Sequence, residues 1–314
     1  MFCQDWLVLI NENGIINQLM NHNWQISGHK KQRDFLSKSI RMGRLPHGLI
    51  FAGPDSVGKR TVAKNFARIL LCQNANACTE CLHCKSFSAE VNPDYIELSV
   101  PEGIKIEHVR HLAYQLNLKP YAAKYKVAVI DNSHDMTVEG ANALLKFLEE
   151  PKPYTIIILI TSNPYSLLPT IVSRAQKVSF GLVQNEEFEN LVSNLNSQEK
   201  AVVLSLSSGR PGLAIKLAHD PESLSKIQDS AGKYQDFMRA DLAHRLILAQ
   251  NFADYETSEL KNILQFWLLN MEGELRENPK TELVKKISAV TEACNFLDAN
   301  VNSKLLLANM MINS

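Results

Sequence analysis

Gly48-Leu-Ile-Phe-Ala-Gly-Pro-Asp-Ser-Val-Gly-Lys-Arg60 is the stretch from which the rest of this sequence can be placed. Leu49 to Ala52 reads as a buried strand, and Gly53 breaks it. Gly58 and Lys59 then open a helix over Thr61 to Leu71, with Val62, Phe66, Ile69 and Leu70 on one side. Strand, glycine loop and helix is the context that a phosphate-binding loop requires. Gly53 and Gly58 permit backbone turns that a side chain would block. The loop N–H groups and the helix N-terminus face the phosphates, and Lys59 supplies a positive charge to the β and γ phosphates. Position 60 departs from the pattern. A Ser or Thr there helps to hold Mg²⁺; here it is Arg60, and Thr61 comes one residue late, turned by ~100° on the helix. ATP with Mg²⁺ is therefore an expected ligand, and efficient turnover of it is not.

Downstream, the pattern alternates. Pro93 to Leu98 reads as a second strand, Ile106 to Leu118 as a helix with Val109, Leu112, Ala113 and Leu116 inward, and Lys126-Val-Ala-Val-Ile-Asp131 as a third strand. A carboxylate such as Asp131, at a strand end, holds Mg²⁺ in phosphate-loop ATPases. Asn132 follows it, and an amide is a poor general base. Glu139 to Glu150 reads as a helix with Ala141, Leu144, Leu145 and Leu148 on one face, ended by Pro151. Tyr154 to Ile160 is a fourth strand running into Thr161-Ser-Asn-Pro164, which places Asn163 at the ligand crevice. Leu167 to Val172 is a short helix, and Lys177 to Phe180 the last strand. Alternating strands and helices predict a mostly parallel sheet with helices on both faces.

Upstream, Gly28 to Leu45 reads as a helix with Phe35, Leu36 and Ile40 inward. Residues 2 to 10 are fairly apolar, but no Lys or Arg precedes Lys30, which argues against a secretory signal. Residues 1–21 read as an N-terminal appendage, and the organised pattern starts after them.

The helix after the loop runs into Cys72-x5-Cys78-x2-Cys81-x2-Cys84. The chain reads as cytoplasmic, where metal is a better reading of crowded cysteines than disulfides. Four thiolates close a tetrahedral Zn²⁺ site with no position left for water, so the metal is expected to be structural. His83 stands between them as an alternative donor.

The chain totals 314 residues, with 45% apolar, 33 basic and 33 acidic residues. The neutral balance argues against a protein dominated by nucleic-acid contact. The strongest apolar run, Thr155 to Ile160, has strand length and is too short to span a membrane. After Gly181 the strand signals stop. Residues 182–220 read as a small helical unit with a turn at Ser207-Ser-Gly-Arg-Pro-Gly212, and residues 221–314 as helical throughout. Leu260, Ile263, Leu264, Trp267 and Leu268 form one apolar stripe, and Leu283, Ile287, Cys294 and Leu297 another; both are expected to be core.

Gly28-His29, Leu45-Pro-His47, Gly-Pro-x3-Gly-Lys, the four cysteines, Lys126-Val-Ala-Val-Ile-Asp131, Asn142-Ala-Leu-Leu-Lys-x-Leu-Glu-Glu-Pro151 and Ser173-Arg174 occur in that order. Together they resemble bacterial clamp-loader subunits of the AAA+ class, clearly over about residues 22 to 220 and loosely beyond. The resemblance implies an α/β nucleotide-binding domain over 22–181, a helical lid over 182–220 and an all-α collar over 221–314. It also implies a five-subunit ring with partners of the delta and gamma/tau type, loading a sliding clamp onto primed DNA. The chain would then be part of a DNA polymerase III holoenzyme, a nucleotidyltransferase assembly, without being the polymerase itself. In that family the Ser-Arg-Cys motif presents its Arg, here Arg174, to ATP bound by the neighbouring subunit; Ala175 stands in place of the Cys. Active relatives carry an Arg in the lid where this chain has Gly212. The losses at 60, 132 and 212 favour a stator with a degenerate site comprising Gly53, Gly58, Lys59, Thr61, Asp131 and Asn163. The competing expectations are a motor ATPase of the same fold and, more distantly, a zinc-dependent nucleic-acid-binding protein.

Overall fold

The computed structural model describes residues 22–24, 26–252, 255–297 and 302–313. The appendage expected over 1–21 lies outside them. Contacts divide the chain into two compact units, one ending at Phe188 and one beginning at Glu189.

The first unit is a parallel five-stranded sheet. Its strands are β1 (Gly48–Ala52), β2 (Tyr95–Leu98), β3 (Lys126–Ile130), β4 (Thr155–Thr161) and β5 (Gln176–Ser179), in the order β2-β3-β4-β1-β5. Register is set by pairs such as Ile50 with Leu159, Ala128 with Ile157 and Phe51 with Val178. The helices are α1 (Lys30–Arg41), α2 (Lys59–Leu71), α3 (Leu82–Ser88), α4 (Ile106–Asn117), α5 (Val138–Glu149), α6 (Pro169–Val172) and α7 (Asn185–Phe188). Successive strand residues point to opposite faces, so each strand feeds two cores. Leu49, Phe51, Val127, Val129, Ile156 and Ile158 pack with Leu36, Val62, Phe66 and Ile69 of α1 and α2. Ile50, Ala128, Ile130, Ile157 and Leu159 pack with Val109, Leu112, Leu144 and Ile171 of α4, α5 and α6. Covering on both faces is why β1, β3 and β4 are buried throughout and read as continuous apolar runs.

The structure corrects the sequence reading in places. Phe35 is 40% exposed; Leu36 carries the inward face of α1, joined by partly buried Ile40. That helix is shorter than expected and stops at Arg41, where Met42, Gly43 and Arg44 close it by turn hydrogen bonds. The second helix begins at Lys59, two residues before Thr61. The seven-residue α3 is an additional element, capped by the Cys81 side chain, which accepts from Cys84 N.

The second unit is helical: α8 (Ser197–Ser207), α9 (Pro211–His219), α10 (Pro221–Arg239), α11 (Leu242–Phe252), α12 (Thr257–Glu277), α13 (Thr281–Leu297) and α14 (Ser303–Asn313). Its core centres on Trp267, which is fully buried. Its ring stacks on Phe237 at 4.6 Å and meets Phe252 edge-on at 5.7 Å. Leu260, Ile263 and Leu264 lie in the same core, as their spacing predicts, and Leu283 and Leu297 join them from α13. No described helix is long and apolar enough to cross a membrane.

Candidate functional site

The loop between β1 and α2 sits at the carboxyl end of a central strand, where α/β sheets place their ligands. Gly53 N donates to Thr161 O at the end of β4, and Phe180 N donates to Ala52 O just beyond β5. The chain passes so close to Phe180 that a Cβ on Gly53 would lie 2.2 Å from its carbonyl oxygen. Gly58, with φ +102°, begins α2 in the left-handed region. A residue that the sequence analysis quoted in the Gly28-His29 pair without giving it a role fixes the loop from the side. His29, itself left-handed at φ 55°, donates from Nε2 to Val57 O at 2.7 Å, with its ring against Phe180 at 4.9 Å. Burial lowers its basicity, so the neutral donor form suits that bond.

Lys59 is buried, and its ammonium group donates to the loop's own carbonyls, Gly53 O at 2.5 Å and Pro54 O at 2.7 Å. Asp55 lies 3.6 Å away, and burial lowers the lysine pKa against the pull of that carboxylate. Arg60, one residue on, turns to the sheet. Its Nε donates to Glu97 Oε1 on β2 and lies 3.9 Å from Asp131 Oδ2 beyond β3. Tyr95 Oη donates to the other Glu97 oxygen at 2.8 Å. Desolvation works against its charge, yet Glu97 and Asp131 hold the Arg60 pKa above the ordinary value. Burial, with Glu97 alongside, raises that of the Tyr95 phenol. The structure thus brings Lys59, Arg60 and Asp131 around one loop and adds Glu97, which the sequence alone did not place.

Thr61 is exposed on α2. Asn163 is exposed at the end of β4, and its side-chain oxygen accepts from Tyr165 N at 3.2 Å. Among the described contacts, neither pairs with Lys59 or Asp131. Asn132 has φ 48°, a conformation that favours Asn over Glu. Gly212 lies exposed in the first turn of α9. The fit to a divalent cation fails at position 60: a guanidinium, not a hydroxyl, faces the carboxylates.

Arg174 follows α6. Its Nη2 lies 3.0 Å from Glu149 Oε1, the last residue of α5, and its Nη1 donates to Thr170 O and Ser173 Oγ, each at 3.1 Å. The side chain keeps 38% of its surface exposed. It is therefore both held and available.

The four cysteines converge. The Sγ atoms of Cys72, Cys78, Cys81 and Cys84 all lie within 4.8 Å of one another, a cluster that could hold a metal ion. Cys72 caps the end of α2 and Cys81 the start of α3, so two helix termini fix the knuckle. Cys78 N, Cys81 N and Cys84 N donate to the sulfurs of Cys72, Cys78 and Cys81 at 3.4 to 3.5 Å. Against its burial, the N–H groups of Cys78, Asn76 and Asn74 bring the Cys72 thiol down to about 6, while burial and the adjacent thiols push Cys84 up to about 12. A donor set of four convergent sulfurs, with Cys72 already inclined to the thiolate, suits Zn²⁺, which deprotonates its ligands on binding. His83 is buried, but the cluster that could hold a metal ion is composed of the four cysteines. His22 Nδ1 donates to Ala75 O, and Asn23 N donates to Asn76 Oδ1, so the chain before α1 braces the same knuckle.

Comparison with known proteins places this arrangement. A family model described as DNA polymerase III, delta subunit, matches residues 28–184, half of the 314-residue chain. The tau subunit of DNA polymerase III from Bacillus subtilis is 31% identical over 177 residues, 55% of this chain and 31% of that protein. The delta′ subunit from the same organism is 32% identical over 192 residues, 60% of this chain and 58% of its own length. The gamma/tau subunit from Mycoplasma genitalium is 28% identical over 280 residues, 87% of this chain and 42% of that protein. The chain therefore spans less than two thirds of the length of each of these relatives. With its phosphate-loop sheet, its cysteine knuckle and a family match that covers both, the chain belongs to the family described as DNA polymerase III, delta subunit.

Proposed function

We propose that the chain is a delta′-type clamp-loader subunit of the replicative DNA polymerase III holoenzyme, helping to load the sliding clamp onto primed DNA in the bacterial cytoplasm. Its partners are subunits of the delta and gamma/tau type in a five-membered ring. Its role is that of a stator. The observation that carries this reading is Arg60, which stands against Glu97 and beside Asp131 where a motor subunit would present a metal-holding hydroxyl. The departures at Asn132 and Gly212 point the same way. The α/β domain keeps its shape without turning over ATP, the helical residues 182–220 form a lid and 221–314 form a collar.

The subunit's part in the chemistry then falls to Arg174. A half-exposed guanidinium after a short helix can reach the phosphates of ATP held by the next subunit and stabilise the charge that develops on transfer. Zn²⁺ at Cys72, Cys78, Cys81 and Cys84 is structural. The competing reading, a motor ATPase of the same fold, draws on Lys59 and Asp131 at the loop and beyond β3, with Thr61 on α2 as the metal-holding hydroxyl.

The test is ATP hydrolysis by the purified full chain beside Lys59→Ala. The stator reading expects no Lys59-dependent turnover. Turnover in the wild type that vanishes in Lys59→Ala would establish the motor instead.

A further inference from the structure

The Arg60 side chain is 57% exposed, whereas Glu97 and Asp131 are only 17% and 16% exposed. The two carboxylates stand on neighbouring strands: Leu98 pairs with Ile130 in register, and Asp131 N donates to Leu98 O at 2.9 Å. Two largely buried carboxylates on neighbouring strands call for a cation, because buried charges are paired or coordinate a metal. A divalent metal is the usual answer in a phosphate-loop fold, shared between the strand-end carboxylate and the hydroxyl after the lysine. Here the residue after the lysine carries its own cation into that space.

We propose that the Arg60 guanidinium is a resident counter-ion that closes the Glu97–Asp131 pair to divalent metal. This deepens the stator reading and rests on its assignment of the loop. The arrangement is built rather than incidental. Arg60 Nε engages one Glu97 oxygen, Tyr95 Oη fixes the other at 2.8 Å, and Asp131 Oδ1 accepts from Asn132 N at 3.0 Å, leaving Oδ2 toward the guanidinium. The Lys59 ammonium donates instead to Gly53 O and Pro54 O, with Asp55 at 3.6 Å. Thr61, exposed on α2, does not join the cluster either. A divalent ion entering this space would meet a fixed positive charge with no hydroxyl to receive it.

The experiment is Mn²⁺ binding to the full chain, with free Mn²⁺ read by electron paramagnetic resonance. The proteins compared are wild type, Asp131→Asn, Arg60→Ser, Arg60→Gln and Arg60→Ser/Asp131→Asn, with folding checked by circular dichroism. The expected result is a Mn²⁺ site in Arg60→Ser and Arg60→Gln with at least tenfold higher affinity than any in wild type, lost again in the double variant. Two results would overturn the proposal: wild-type protein that already holds Mn²⁺ in a manner abolished by Asp131→Asn, or folded Arg60 variants that gain no site. The outcome is separable from the stator reading. Lys59-dependent ATP turnover would remove that reading, whereas the Mn²⁺ count reports on the carboxylate pair alone.

Discussion

Arg174 Nη2 stands 3.0 Å from Glu149 Oε1, which joins the end of α5 to the loop after α6. The pair lies at the surface, with 38% and 47% of the two side chains exposed, so its contribution to stability is of the order of 0–1 kcal/mol. Its value is geometric: together with Thr170 O and Ser173 Oγ it aims the guanidinium. Glu149→Ala should therefore leave the thermal midpoint of the chain almost unchanged while lowering ATP turnover of a reconstituted loader several-fold. Calorimetry and a coupled ATPase assay measure the two quantities. A rise in turnover would mean that Glu149 restrains the arginine instead of aiming it.

The cysteine knuckle makes a second prediction. The full chain should carry about one Zn²⁺, as a closed four-thiolate site requires. Cys84→Ser should lose the metal. Cys84 is buried on α3 with its sulfur within 4.8 Å of the other three, so the thermal midpoint should fall by about 5 °C or more, the shift that roughly 2 kcal/mol makes in a domain of this size. Metal analysis and thermal denaturation check this. A variant with full stability and no zinc would show that the knuckle holds its shape through the N–H···S bonds alone.

The two loop glycines should respond differently to Ala. At Gly53 the new Cβ would lie 2.2 Å from Phe180 O, backbone that cannot step aside, so the cost should be about 3 kcal/mol or more. At Gly58 the nearest atom would be His29 Nε2 at 4.0 Å, and only the left-handed backbone opposes the change, at about 1–2 kcal/mol. Urea denaturation of both variants measures the difference. Equal losses would mean that the approach of Phe180 is not the constraint.

Much of the fold was legible because both faces of the sheet are covered. Ile156 to Ile160 and Val127 to Ile130 are apolar at every position, and their ends are marked by Asp131 and the Thr161-Ser-Asn-Pro stretch. The helix positions were legible from three-and-four spacing where one face is buried, as at Val109, Leu112 and Leu116. That spacing misplaced Phe35, because an isolated aromatic beside Leu36 fits an inward stripe by sequence and an outward one by geometry. The helix α3 was not legible: seven residues carry too little periodicity, and its cap is a cysteine that the knuckle reading had already claimed. At the site, Lys59 and Asp131 announced themselves by motif. Glu97 did not, since it meets Arg60 from 37 residues away and only the pairing of β2 with β3 brings it there. His29 and Glu149 stood inside quoted motifs, but their roles escaped for a similar reason: each acts by holding another group, which leaves no local signature.

The most direct test of the account is ATP turnover by a loader reconstituted with Arg174→Ala, with assembly followed by size exclusion in the same samples. The account predicts an intact ring whose DNA-stimulated turnover falls by ~10³-fold, the scale of a lost arginine finger. Unchanged turnover in an intact ring would contradict it, and would leave the chain without a chemical part in the assembly.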